Sequence, residues 1–177
     1  MRAKVFIATS LDGYIAGKDG DLEWLHSVPN PNQIDMGFAA FMNSVDALLM
    51  GRNTFETVVG FGVEWPYTKP VYVLSQTLQS VPEELQDKVF LVSGKLSEVM
   101  GELSQAGHQT LYVDGGRLIQ SMLAEDRIDE MIITTIPVLL GGGVPLFGEL
   151  GMPLHFQAVK VERFLDRIVQ TTYRRDR

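Results

Sequence analysis

The stretch Ala47-Leu48-Leu49-Met50-Gly51-Arg52-Asn53-Thr54-Phe55-Glu56 decides the fold class. Four apolar residues in a row, Ala47–Met50, read as a short strand buried on both faces. Gly51 ends that run. Asn53 or Thr54 then offers a side-chain oxygen to cap a helix through Val59, with Glu56 in its first turn. A strand passing through glycine directly into a helix is half of a β-α-β unit, the building block of a parallel sheet. The pattern recurs further on: Thr110–Val113 reads as a strand and Gly116–Ala124 as a helix behind the pair Gly115-Gly116.

Working outward, Lys4–Thr9, Pro70–Leu74, Val89–Val92 and Glu130–Ile136 are short β-branched or apolar runs, each read as a strand. Asp12-Gly13 is a turn signal, and Pro137 breaks the strand before it. Asp35–Asn43 places Phe38, Phe41 and Met42 at helical spacing, and Leu96–Ala106 reads as a helix closed by Gly107. Phe156–Phe164 and Arg167–Tyr173 alternate and are joined through Leu165-Asp166, the pattern of a hairpin. Strands alternating with helices predict a three-layer α/β fold. Its sheet is mixed and mostly parallel, with helices on both faces and a C-terminal antiparallel hairpin. The two loop-like stretches, Ser27–Gln33 and Gly60–Lys69, are too short for domain linkers, so residues 1–177 are expected to form a single domain.

Composition narrows the function. The 177 residues include no cysteine, which excludes a disulfide framework, a thiolate nucleophile, an iron–sulfur cluster and a Cys-type zinc site. The balance of 15 basic against 22 acidic residues, net −7, argues against non-specific binding to nucleic acid or an anionic membrane. No run approaches 18 apolar residues and no signal-peptide pattern is present, so a soluble cytoplasmic protein is expected. His26, His108 and His155 are scattered without ligand spacing, and no metal site is expected. The G-x-G-x-x-G, Walker A and G-x-S-x-G motifs are all absent.

Ligands of open α/β sheets sit beyond the carboxyl ends of the strands. The residues there are Ala8, Thr9 and Asp12; Gly51–Thr54; Ser75, Gln76 and Thr77; Ser93 and Gly94; and Asp114, Gly115 and Gly116. Glycine lets a backbone approach a ligand closely, and helix N-termini present free N–H groups and positive potential. Two such junctions aimed at one crevice suit a pyrophosphate, and Arg52 supplies a planar cation for a terminal phosphate. A glycine after a strand is equally ordinary punctuation, so the alternative of plain turns stands beside this reading.

These residues resemble a known superfamily. Leu49-Met50-Gly51-Arg52-Asn53-Thr54-Phe55-Glu56 is similar to the M-G-R-x-T-[WF]-E segment of the dihydrofolate reductase superfamily. Val73-Leu74-Ser75 and Val113-Asp114-Gly115-Gly116 resemble two later segments. Thr9–Ala16 (TSLDGYIA) and Pro137–Phe147 (PVLLGGGVPLF) resemble one branch more closely, the bacterial riboflavin-biosynthesis reductase domain and its stand-alone relatives. The deaminase half of that bifunctional enzyme has no counterpart in the chain, which lacks H-x-E and P-C-x-x-C.

The resemblance implies a dihydrofolate-reductase-like fold and an NADPH-dependent reductase. It implies that Gly51, Arg52, Asn53 and Thr54 contact the pyrophosphate and adenosine phosphate. Leu74, Ser75 and Gln76, with Ser93 at the next strand end, would line the adenine-ribose end. Gly115, Gly116, Arg117 and Leu118 would hold the other side of the pyrophosphate, and Ala8, Ile15 and Gly17 would flank the nicotinamide. Asp35 falls at the substrate acid of folate reductases, with Phe38 on the same stripe, Thr134 at a partnering threonine and Trp24 at a tryptophan near the nicotinamide. Asp12 is the rival acid from the riboflavin branch. Each acid has a plainer reading, Asp35 as a helix cap and Asp12 as a turn residue. The implied substrate is a small molecule: a pterin, a ribosylaminopyrimidine, or another small heterocycle or carbonyl. A homodimer is implied as well, with Ile132–Leu140 and the final strands as candidate surfaces. The alternative is a non-catalytic module that binds NADPH, a pterin or a flavin.

Overall fold

The computed structural model describes residues 1–177. One eight-stranded sheet runs through the molecule in the order β5-β4-β3-β6-β1-β7-β10-β9. The strands are β1 (Arg2–Ser10), β3 (Ala47–Gly51), β4 (Val71–Leu74), β5 (Val89–Val92), β6 (Thr110–Asp114), β7 (Glu130–Ile136), β9 (Phe156–Phe164) and β10 (Ile168–Arg175). The six strands from β5 across to β7 are mutually parallel, β10 runs antiparallel to β7, and β9 runs antiparallel to β10 at the edge. Three residues, Leu165–Arg167, connect β9 to β10 in a tight turn with positive φ at Leu165 (52°) and Asp166 (58°), closed by the Arg167 N–H donating to the Phe164 carbonyl (3.1 Å).

Alternation along the central strands divides the core. In β3, Ala47 and Leu49 face one side and Leu48 and Met50 the other. On the first side, helices α3 (Leu96–Gln105) and α4 (Gly116–Ala124) bury Val99, Leu103, Ile119 and Met122 against Val5, Leu49, Leu111 and Val113. On the second, α1 (Phe38–Asn43) and α2 (Arg52–Gly60) bury Phe41, Met42 and Phe55 against Leu48, Met50, Val71 and Val73. Fully burying one such side chain contributes about 1.5–3 kcal/mol. A third cluster of Trp24, Val28, Ile136 and Ile168 forms where the segment after residue 22 lies against β7 and β10.

Several local expectations are corrected. The helix expected from Asp35 begins at Phe38, because Met36 (φ 52°) and Gly37 (φ 88°) make a tight turn first. Asp35 stabilises that turn, its carboxylate accepting the N–H groups of Gly37 (3.0 Å) and Ala39 (2.9 Å). Neither Asn53 nor Thr54 caps α2. The helix starts at Arg52 behind the extended backbone of Gly51. The ribbon β2 (Tyr14–Ala16) with β8 (Val144–Pro145) has no counterpart in the sequence reading, since three and two residues carry no periodicity. The run Ile132–Leu140 is no free surface over its first half. Residues 132–136 belong to β7, which is paired on both sides, with Ile133, Thr134 and Ile136 buried. No helix is long and apolar enough to cross a membrane.

Candidate active site

The two glycine–helix junctions meet. β3 and β6 are neighbours, with Leu49 opposite Val113 and Met50 opposite Asp114, so α2 and α4 start side by side at the same end of the sheet. Gly115 has φ +100°, and a Cβ there would overlap Thr54 Oγ1. A Cβ on Gly116 would come within 2.7 Å of Ile15 Cδ1 in β2. Glycine is therefore required at 115 for conformation and for space, whereas a side chain at 116 would only have to displace the flexible end of Ile15. No side chain caps either helix, so the first-turn N–H groups of both lack a side-chain partner where the two junctions abut. Arg117 is exposed on α4, whereas the Leu118 side chain is buried in the core, leaving only its backbone to the crevice.

Arg52 reaches sideways from α2. Its Nη1 donates to Thr77 Oγ1 at 2.8 Å, and its Nε lies 3.7 Å from Glu56. Thr77 follows β4 in a turn closed by Ser75, whose Oγ accepts the N–H groups of Thr77 (3.2 Å) and Leu78 (2.9 Å). The half-exposed guanidinium thus stands beside the segment of Leu74, Ser75 and Gln76. Ser93 lies exposed at the end of β5, the outermost strand.

On the α1 side of the sheet a cavity of about 340 Å³ opens between β1, β7, β10 and residues 25–36. Ala8, Thr134 and Asp35 line it together with apolar walls from Leu25, Ile136 and Ile168. Ala8 and Thr134 are paired neighbours across β1 and β7, and β1 lies between that cavity and the glycine junctions. Thr134 is buried, and its Oγ1 accepts from Gln170 Nε2 at 2.9 Å. The same Nε2 donates to the Met36 carbonyl at 3.0 Å, which can only accept and so fixes which way the amide points. As the acceptor in that bond, the Thr134 hydroxyl still has its own proton to donate. Gln170 escaped the sequence reading. Its signal was a glutamine two residues from Ile168 on the inward face of an alternating strand. Trp24 and Phe38 are not in the cavity wall: Trp24 packs with Val28, Ile136 and Ile168, and Phe38 stacks edge-on against Phe6 (5.4 Å) and Tyr112 (6.4 Å).

The carboxylates differ in environment. Hydrogen bonds from Ala39 and Gly37 hold Asp35 below the usual carboxylate range, so it is anionic at neutral pH. Asp12 accepts from Ser10 Oγ (2.7 Å) and from the N–H groups of Gly141 (2.8 Å) and Leu140 (3.1 Å), which together bring it down to about 2. It ties the Asp12-Gly13 turn to the glycine run Gly141–Gly143, where a Cβ on Gly143 would overlap the Ala16 carbonyl. That run shapes the β2–β8 ribbon, and Gly17, next to it, donates its N–H to Asp21 O (2.8 Å). Asp114 is pushed up to about 6 by burial, although the Gly115 N–H (2.8 Å) and the phenols of Tyr112 and Tyr67 favour its charged form.

Comparison with known proteins agrees with this architecture. The family model described as the RibD C-terminal domain matches residues 4–170. The uncharacterized protein YwjB of Bacillus subtilis is 37% identical over 149 residues, 82% of each chain. The structure of a putative riboflavin biosynthesis protein from Shewanella sp. PV-4 is 59% identical and superposes over 100% of both chains with a TM-score of 0.97. A diaminohydroxyphosphoribosylaminopyrimidine deaminase/5-amino-6-(5-phosphoribosylamino)uracil reductase from Thermotoga maritima shares the fold. It has a TM-score of 0.76 and 16% identity, over 99% of this chain and 56% of that one. Dihydrofolate reductase from Enterococcus faecalis, complexed with NADP(H), also shares it, with a TM-score of 0.64, 20% identity and coverage of 99% and 97%.

Proposed function

Because the chain belongs to the RibD C-terminal domain family, we propose that it is an NADPH-dependent reductase of a small heterocyclic molecule, with residues 1–177 forming its single catalytic domain. The observation that carries this reading is the abutment of the Gly51–Thr54 and Gly115–Gly116 junctions beside Arg52. At Gly115 the left-handed φ and the Thr54 hydroxyl leave no place for a side chain, and the uncapped starts of α2 and α4 beside it offer helix N–H groups, the donor set of a pyrophosphate site.

In this reading Gly51, Arg52, Asn53, Thr54, Gly115, Gly116, Arg117 and the Leu118 backbone hold the pyrophosphate and adenosine phosphate. Leu74, Ser75 and Gln76, with Ser93 beyond them, take the adenosine end. Arg52 arrives pre-oriented by Thr77 and favours a 2′-phosphate. Ala8, Ile15 and Gly17 would flank a bound nicotinamide, whose chemistry would be hydride donation to a small-molecule substrate. Asp35 and Thr134 position that substrate, one as an acceptor and the other as a donor. Asp12 and Asp35 are held as anions at neutral pH, so neither carries the accompanying proton at rest. Asp12 acts through the loop it ties down, and Trp24 and Phe38 act by shaping the walls from behind. The protein works in the cytoplasm as a homodimer; Val159 and Val161, exposed on the edge strand β9, support pairing there.

The experiment is a thermal-shift titration with NADPH and with NADH, followed by NADPH oxidation against candidate heterocycles. A ligand that binds only the native state stabilises it by roughly 2.7 kcal/mol at a hundredfold excess over its dissociation constant. A larger shift with NADPH than with NADH supports the reading; no shift with either refutes it.

A further inference from the structure

Asp114 ends β6, one residue before the glycine that opens α4. Its carboxylate accepts the Gly115 N–H at 2.8 Å. Gly115 is wedged against Thr54 of α2, so the carboxylate is fixed where the two junctions abut. The surroundings are short of positive charge. Burial disfavours the charged form of Asp114; hydrogen bonds from Gly115, Tyr112 and Tyr67 work the other way, and no lysine, arginine or histidine joins them. On β3, Met50 lies opposite Asp114. On β1, Lys4 lies opposite Tyr112 and is engaged by Ser44 and Glu130. Arg52 of α2 is turned to Thr77 and Glu56, and Arg117 of α4 is exposed. The Tyr67 phenol arrives from the segment after α2, where Tyr67 packs edge-on against Trp65 (5.2 Å) and Trp65 against Phe55 of α2 (5.9 Å).

A carboxylate in this place is at odds with two helix starts that suit an anion. Two negative groups brought together away from bulk water disfavour each other's charge, and a proton on the carboxyl removes the conflict. We propose that the Asp114–Tyr67–Tyr112 cluster takes up a proton when the cofactor's pyrophosphate binds at the glycine junctions. The proposal rests on the reductase reading for the place of the pyrophosphate and adds a proton to that binding step. A protonated carboxyl keeps acceptor capacity for the Gly115 N–H, so the turn survives the change of charge. The carboxyl already stands at about 6 in the free protein, so the exchange falls near neutral pH. The cofactor-bound form holds the proton more tightly, so affinity is greatest below about pH 6 and declines above it.

The test is calorimetric titration with NADP⁺ in buffers of different ionisation enthalpy, which counts the protons exchanged, on the unaltered protein and on Asp114→Asn. Subtracting the two cancels protons released by the cofactor's own 2′-phosphate, which also titrates near 6. At about pH 6.5, a carboxyl raised by roughly one unit takes up about half a proton that the Asn variant does not. The affinity of the unaltered protein should also fall roughly tenfold relative to the variant between about pH 5 and 8. Tyr67→Phe removes a donor that favours the anion, so it should move that fall to higher pH; it also retains the acid if Asp114→Asn does not fold. Equal proton counts in the unaltered protein and Asp114→Asn overturn the proposal, and so does a pH profile that Tyr67→Phe leaves in place. Failure of NADP⁺ to bind at any pH refutes the reductase reading instead, which keeps the two failures apart.

Discussion

Gly115 and Thr54 touch across two different strand–helix junctions: the Thr54 hydroxyl occupies the space that a side chain on residue 115 would need. The contact joins β3–α2 to β6–α4 and sets the width of the crevice between the helix starts. Gly115→Ala meets both this overlap and a left-handed φ of +100°, a strain on the order of 1–3 kcal/mol. The variant should melt at lower temperature and lose at least tenfold in NADPH affinity, read by differential scanning calorimetry and fluorescence titration. An alanine variant that binds NADPH normally would remove the crevice from the cofactor site.

Arg52 is bonded to Thr77 and stands near Glu56, on the side of α2 facing the segment after β4. Arg52→Ala removes a charge-assisted hydrogen-bond donor worth about 1.5–3 kcal/mol, roughly 10- to 100-fold. The loss should fall on NADPH and spare NADH, measured as the ratio of the two dissociation constants. Equal losses for both cofactors would contradict a role at a 2′-phosphate.

Asp12 accepts three hydrogen bonds that close the Asp12-Gly13 turn onto Leu140 and Gly141. Its folded pKa, about 2, lies below the ordinary 3.8, so its contribution to stability is complete above about pH 4 and is lost as pH falls through 2. Asp12→Asn should lack that portion of the acid dependence and speed amide exchange in residues 139–147 at neutral pH. Hydrogen exchange followed by mass spectrometry reads the second effect. Unchanged exchange there would show that the tie is idle.

Asp114 has the opposite sign. Its folded pKa of about 6 is raised above 3.8, so the folded state binds the proton more tightly, and stability declines as pH rises from about 4 through 6. Asp114→Asn should flatten the denaturation midpoint over that window, as urea unfolding at half-unit steps of pH would measure. A variant that keeps the wild-type slope assigns that dependence to other groups.

Gln170 spends one amide nitrogen on two acceptors, Thr134 Oγ1 and the Met36 carbonyl. Gln170→Leu leaves the buried hydroxyl without its donor, a cost of about 1–3 kcal/mol. Amide exchange should rise in residues 30–37, which carry Asp35, while β3 and β6 stay protected. Protection of residues 30–37 equal to wild type would mean that β10 does not hold this wall of the cavity.

What the sequence by itself determined is the frame. The run Ala47–Met50, apolar at every position, reads as a strand buried on both faces, Pro70–Leu74 reads as a further strand, and the glycines after Met50 and Asp114 mark where the chain turns into a helix. Alternation through Phe156–Phe164 and the connection at Leu165-Asp166 made the closing hairpin legible in the same way. These signals are local, because burial and backbone freedom act residue by residue. Tertiary structure decided what depends on partners distant in the chain. The Asp35 stripe looked helical, yet its carboxylate bonds to Gly37 and Ala39, and a turn forms first. Asp12 could have been acid or turn until Leu140 and Gly141, more than 120 residues on, donated to it. Gln170 acquired its place only when β10 paired with β7 and brought it against Thr134. A hydrogen bond takes its meaning from both ends, and in this protein the second end of the bonds that shape the cavity is supplied by strand order.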